Sequence, residues 1–121
     1  MTNEQLKNRT KEFSLRILEL VEVMPNSLSS KVVINQLAKS GTSVGANYRA
    51  VCRARSGKEF VAKLNIVLEE ADECQFWLEI IQEMKWIKQV SDLNLILKEA
   101  SELVAFFVST LKTVNNRINN K

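Results

Sequence analysis

The 121-residue chain contains no histidine, one proline, three glycines and two cysteines. Without histidine it lacks the usual general base and the commonest transition-metal ligand. The Glu-x-x-His pattern of di-iron helical bundles is excluded with it. Cys52 and Cys74 show neither metal-ligand spacing nor a framework of pairs. They are expected to be reduced, buried thiols of a cytoplasmic protein. Neither has a histidine to activate it. No run of about 18 apolar residues appears, so no membrane span is expected. The opening "MTNEQLKNRTKEF" is polar and mixed in charge, unlike a secretory signal. The glycine-containing stretch "SGTSVGAN" lacks the lysine and the spacing of a phosphate-cradling loop. Glu69, Glu70, Asp72 and Glu73 form a charge run of the kind that is usually solvated. No catalytic residue, metal site or cofactor is expected, and an enzyme is not.

What is present favours helix. Hydrophobic residues make up 45% and charged residues 26%, the balance of a globular domain. Leu, Glu, Lys and Ala are abundant, and all are good helix formers. One domain is expected, large enough to bury a core unaided. Apolar residues recur at three- and four-residue steps in four stretches. The first is placed at about 3–24, through Phe13, Ile17, Leu20, Val21 and Met24, and Pro25 ends it. The second is placed at about 29–54, with Ser29 or Ser30 as N-cap. The third, at about 57–85, follows an S-x-x-E capping box at Ser56 and Glu59. Its seam is Phe60, Leu64, Val67, Ala71, Cys74, Leu78 and Ile81. The fourth, at about 91–116, is capped by Ser91. Its core face is Leu93, Ile96, Ala100, Phe107, Leu111 and Val114. The tail "NNRINNK" is expected to fray. Nothing reads as a strand. The simplest fold is all-α: an antiparallel up-down-up-down four-helix bundle.

Charge is uneven along the chain. Residues 1–30 hold four basic and four acidic groups. Residues 31–63 hold seven basic groups against Glu59 alone, whereas residues 64–121 hold six basic and nine acidic. The basic segment has three outlets: pairing within the chain, pairing between subunits, or a polyanion.

On a wheel of 100° per residue, Gly41 and Gly45 fall inside the apolar arc of the second helix, one turn apart. Each costs roughly 1 kcal/mol of helix propensity relative to alanine. Either they admit a neighbouring helix closely, or the helix breaks at Gly41 and restarts at Thr42 or Ser43. The apolar arc is completed by Val33, Ile34, Leu37, Val44, Tyr48, Val51 and Cys52. Ser43 and Asn47, four apart at its margin, are expected to form a register-fixing hydrogen-bonded pair or to touch a ligand. Lys31, Lys39, Arg49 and Arg53 line the opposite face. Arg55, Lys58 and Lys63 extend it past the turn. Such a row could track phosphates, or it could be a solvated face that pairs with the acidic third helix.

Several apolar residues lie off the core arcs. Phe76 is nearly opposite the third helix's seam, and Trp77, Ile66, Ile80 and Met84 flank it. Leu95 and Phe106 sit off the fourth helix's arc. Either helix tilt carries some of them into the core, or they bury a second surface. A homo-oligomer with Phe76, Trp77, Leu95 and Phe106 in its interface is expected.

"SVGANYRAVCRARSGKEFVAKLNIVLEEADECQFWLEII" resembles a small bacterial family of four-helix bundles. Its members include proteins encoded by intervening sequences within 23S ribosomal RNA genes. Accessory proteins of diversity-generating retroelements are more distant relatives. The resemblance covers roughly residues 10–115. The matching residues are Ser43, Gly45, Asn47, Tyr48, Arg49, Arg53, Arg55, Ser56, Glu59 and Phe60. The chain departs from the family at Ala50 and Cys52, where an acidic residue and a further arginine are common. The resemblance implies an antiparallel bundle assembled as a ring-like homopentamer with a basic surface. For the retroelement relatives it implies binding of nucleic acid and of a reverse transcriptase. Two functions follow as expectations. One is backbone-charge recognition of nucleic acid, RNA or an RNA/DNA hybrid. The other is a protein-interaction scaffold in which the arginines pair with the acidic third helix of a neighbouring subunit or with a partner protein.

Overall fold

The computed structural model describes residues 1–119, and it is built of four helices: α1 (Asn3–Glu22), α2 (Leu28–Val51), α3 (Gly57–Met84) and α4 (Val90–Asn119). Among the described residues there is no strand. Consecutive helices pack side by side and α4 returns to α1, so the chain folds as an antiparallel up-down-up-down bundle. The core is the predicted one in outline. Phe13, Ile17 and Leu20 of α1 are buried together with Val33, Leu37, Val44, Tyr48 and Val51 of α2. On α3, Leu64, Val67, Ala71, Cys74, Leu78 and Ile81 are buried. That leaves Phe60 half-buried at the end of the seam. On α4, Leu103 joins the core and Val114 stays at its margin.

The helix ends differ from expectation in local ways. Ser27, rather than Ser29 or Ser30, caps α2. Its hydroxyl accepts from Ser30 N, and the Ser30 hydroxyl accepts from Ser27 N. Ser30 lies inside the helix, fully buried, and donates to the Pro25 carbonyl. Thr2 and Gln5 form the same reciprocal box at α1. At α3 only half of the expected box forms: Ser56 accepts from Glu59 N at 3.1 Å. The Glu59 carboxylate turns instead toward Lys63, 3.8 Å away. Ser91 is the second residue of α4 rather than its cap. Helix α2 closes at Val51, three residues early, with Arg53 N and Ala54 N bonded to Ala50 and Val51 carbonyls in a tighter turn. The expected fraying of "NNRINNK" is not seen up to Asn119, and the last two residues lie outside the described ones. Ile118 lies over Gly57 and gives this final turn something to lean on.

Helix α3 ends at Lys85, which takes a left-handed conformation at φ 57° and ψ 38°. Lys85 N bonds to Gln82 O at 3.2 Å and Trp86 N to Ile81 O at 3.4 Å. These two bonds are those of a Schellman ending, a place usually held by glycine.

Candidate nucleic-acid interface

Helix α2 is continuous through both glycines, and the reason lies in α1. A Cβ on Gly41 would sit 2.5 Å from Ile17 Cγ2 and 2.9 Å from Ile17 Cβ. A Cβ on Gly45 would meet Ser14 Oγ at 2.8 Å and the backbone of Thr10 and Lys11 at 3.2 and 3.3 Å. The Ser14 hydroxyl enters the gap so formed. It donates to Gly41 O at 2.7 Å and accepts from Gly45 N at 3.2 Å. One buried hydroxyl thus straddles a turn of the neighbouring helix. Thr10, also fully buried, satisfies its own hydroxyl on Leu6 O at 2.8 Å. The glycines were legible in α2, but their partners Thr10 and Ser14 were not. A polar residue on a core face gives no sign from spacing alone that it is there for its size.

The rest of the motif is structural. Asn47 donates from Nδ2 to the Ser43 carbonyl at 2.9 Å, so the expected pair forms through Ser43's backbone and not its hydroxyl. The Tyr48 ring is buried and stacks on Phe107 at 6.0 Å between centroids. Its hydroxyl reaches Asn3 Oδ1 at 3.3 Å. Burial, helped by the nearby Cys52, pushes the phenol up to about 12.

These contacts aim α2's outer face at solvent. Lys31, Lys39, Arg49, Arg53, Arg55 and Lys58 are exposed, and Lys63 is half-exposed. Among the described residues, only Lys63 of these seven has a carboxylate within 4.0 Å. Lys39 lies close enough to Glu70 of α3 to favour its charged form. Burial, and then the neighbouring Glu73, nevertheless raise that carboxyl above its ordinary range. Among the described residues, the acidic third helix therefore meets the row at Lys39 and Lys63 and not along its length.

Antiparallel packing also concentrates the charge. The start of α1, the end of α2, the start of α3 and the end of α4 share one end of the bundle. Lys7, Lys11, Arg49, Arg53, Arg55, Lys58, Lys63, Lys112 and Arg117 gather there, against Glu4, Glu12 and Glu59. Lys31 and Lys39 lie toward the opposite end, so the seven cations expected from the sequence do not form one cluster. Lys7, Lys11, Lys112 and Arg117 were not anticipated. They sit in segments of balanced or acidic charge, and only the fold brings them to this end.

Among the described residues, no group of cysteines and carboxylates could hold a metal ion. No described helix is long and apolar enough to cross a membrane.

The chain matches the model of the 23S rRNA-intervening sequence protein family over residues 2–108. The chain belongs to that family. Comparison with curated proteins gives no match. Among solved structures, the intervening-sequence chain is similar to a protein of unknown function from the S23 ribosomal protein family of Bacteroides thetaiotaomicron. The two share 33% identity, with 93% of this chain and 99% of that one covered, at a TM-score of 0.81.

Other expected positions of this family member fall as follows. Phe76 is 52% exposed and Leu95 56% exposed. Trp77 and Phe106 are partly buried and pack against the core. Trp77 meets Phe76 edge-on at 4.9 Å, and its buried Nε1 has no acceptor among the described residues. Cys74 is buried as expected, with Sγ 3.4 Å from Ser40 Oγ, and burial pushes its thiol up to about 12. Cys52 is exposed, contrary to expectation, because α2 ends just before it. One ion-pair site had no signal in the sequence. Arg9 grips Glu99 of α4 with two bonds, at 2.8 and 2.6 Å, and reaches Glu102 at 3.4 Å. The hydrogen bonds to Glu99 raise the guanidinium's pKa further. This clasp spans α1 and α4, the neighbouring helix pair in least contact.

Proposed function

We propose that this protein is a non-enzymatic nucleic-acid-binding module that works as a homo-oligomer and reads backbone charge. The observation that carries this is the set of exposed cations Arg49, Arg53, Arg55 and Lys58, all without a carboxylate partner among the described residues. A solvated arginine that is not spent on an internal ion pair releases a phosphate's counterions on contact and gains from it. The ribosomal reference in the family's name favours RNA as the polyanion. Recognition by charge alone is weak per site, and linked copies raise the effective concentration of the next site. Family resemblance favours five. A reverse transcriptase is a partner only for a retroelement member.

The test is fluorescence anisotropy with labelled RNA at low salt. Binding is expected to weaken at least tenfold in Arg49→Glu/Arg53→Glu. If the wild-type protein does not bind, or if the variant binds as well, the basic face is not a nucleic-acid site.

A second reading is favoured by Glu69, Asp72, Glu73 and Glu79, which are exposed on α3 and also without ion-pair partners among the described residues. In it the arginines pair with α3 of an adjacent subunit. Neutralising Arg53 and Arg55 would then lower the mass seen by light scattering. Lost RNA binding at unchanged mass supports the first reading.

A further inference from the structure

We propose that the ligand of the basic end is a duplex, held across the α1–α2 seam by two facing sets of cations, Lys7 and Lys11 on α1 with Arg49 of α2 and Arg53 just past its end. This rests on the nucleic-acid reading above and deepens it.

The first support is the placement of the two sets. The α-carbon of Lys11 lies 3.3 Å from where a Cβ on Gly45 would be, so the α1 backbone is pressed against α2 at that level. Lys7 is one turn along α1 from this contact, and Arg49 is one turn along α2. On the helical wheel Lys7, Lys11 and Arg49 fall on the solvent side of the seam, the two lysines one turn of about 5.4 Å apart, and Arg53 follows Arg49 in the tight turn just past the end of α2. Packed helices normally lie 8–10 Å apart, depending on the side chains between them. Here Gly41 and Gly45 put no side chain between them, which places the two sets at the short end of that range. The glycines therefore act on function through spacing. They bring α1's lysines beside the arginines at the end of α2 and make one two-sided surface from two single stripes. Glu4 is the acid on this side of α1, and it forms no ion pair among the described residues. Lys11 and both arginines are exposed and Lys7 is half-exposed. None of the four has a carboxylate within 4.0 Å among the described residues.

The second support is what the surface does not offer. Proteins that hold single strands without sequence preference stack bases on aromatic rings. The tyrosine nearest this seam, Tyr48, has its ring in the core, 2% exposed and stacked on Phe107. The exposed aromatic among the described residues, Phe76, stands toward the far end of α3 from Gly57. Among the described residues, no fully exposed ring lies at this end; Phe60, in the first turn of α3, is half-buried. A duplex has its bases already stacked and offers two strands of phosphate, which two sets of cations match in kind.

The experiment compares three labelled probes of equal phosphate number with the intact protein: an RNA stem of about 16 base pairs, the matching DNA duplex, and an unstructured single strand. The better of the two duplexes should bind at least tenfold tighter than the single strand. Lys7→Glu/Lys11→Glu should weaken duplex binding as much as Arg49→Glu/Arg53→Glu. The milder Lys7→Gln/Lys11→Gln should weaken it less but measurably, with an unchanged helical circular-dichroism spectrum. Equal or tighter single-strand binding overturns the duplex assignment while leaving the nucleic-acid function standing. So does duplex affinity within twofold of wild type in both lysine variants. If no probe binds at low salt, both proposals fall together.

Discussion

Gly41→Ala separates two effects of opposite sign. In an isolated helix, alanine for glycine adds about 1 kcal/mol of stability. In this bundle the new methyl would lie 2.5 Å from Ile17 Cγ2 and 2.9 Å from Ile17 Cβ. Ile17 is fully buried and β-branched, and in a helix it holds one rotamer. It has nowhere to swing, so the two helices must part. Overpacking of this kind costs about 1–3 kcal/mol. The approach is well inside normal limits on a stiff side chain, which places the cost at the upper end. The expected net is a loss of about 1–2 kcal/mol, the overpacking cost less the propensity gain. For a domain of this size that lowers Tm by about 3–8 °C. Urea unfolding followed by circular dichroism at 222 nm gives the difference directly, provided the slope with denaturant is unchanged. Ile17→Ala removes both γ carbons and the δ carbon and alone should cost about 2–5 kcal/mol. In the double variant the methyl at 41 partly refills that hole. The two changes should therefore couple by about 1–2 kcal/mol in the favourable direction. A Gly41→Ala protein that is more stable than wild type, or a double variant whose losses simply add, would refute close packing as the role of this glycine.

Other consequences follow at separate sites. Ser14→Ala removes the hydroxyl that joins Gly41 O to Gly45 N and should cost about 1 kcal/mol in the same urea assay. Lys85→Gly relieves a left-handed backbone at an exposed position and should raise stability by about 1 kcal/mol; a loss would mean that the lysine side chain contributes there. A thiol reagent should label one cysteine in the native protein, Cys52, and both in denaturant; two fast-reacting thiols in the native state would contradict the burial of Cys74. Cys74 and Tyr48 both have folded pKa values raised to about 12, from ordinary values of 9.0 and 10.0. Their contribution to stability is complete below pH about 9 and is lost as pH rises toward 12, because the unfolded chain releases these protons first. Cys74→Ala should flatten that alkaline decline.

Much of the bundle was legible because burial on a helix leaves a period. The seam from Leu64 to Ile81 is buried at every position, and a stripe of that length admits few partners other than helices. The cationic row was legible for the same reason. The features with no such signal depend on neighbours distant in sequence. Arg9 and Glu99 are 90 residues apart, and nothing in the local charge around either points to the other. Thr10 and Ser14 look like solvent-facing polar residues until Gly41 and Gly45 are set against them. Lys7 and Lys11 belong to a balanced segment and join the basic end through antiparallel packing alone. Trp77 fell on the flank of its helix's seam and Phe106 off its core arc because a wheel assumes a straight helix with one neighbour. In a bundle each helix has two flanking neighbours, and a residue at the margin of the arc packs against one of them. Helix ends were the least legible feature. Ser27, Ser29 and Ser30 follow Pro25 closely and all are competent as caps. The choice of Ser27 turns on Ser30 burying its hydroxyl against Pro25.

The most direct test is the salt dependence of duplex RNA binding, measured for wild type and for Arg49→Gln/Arg53→Gln. If these two guanidinium groups each neutralise a phosphate, the slope of log K against log salt should become shallower by about 1.8, near 0.9 for each phosphate no longer neutralised. A variant with the wild-type slope and affinity would show that the exposed arginines at the end of α2 do not meet the nucleic-acid backbone.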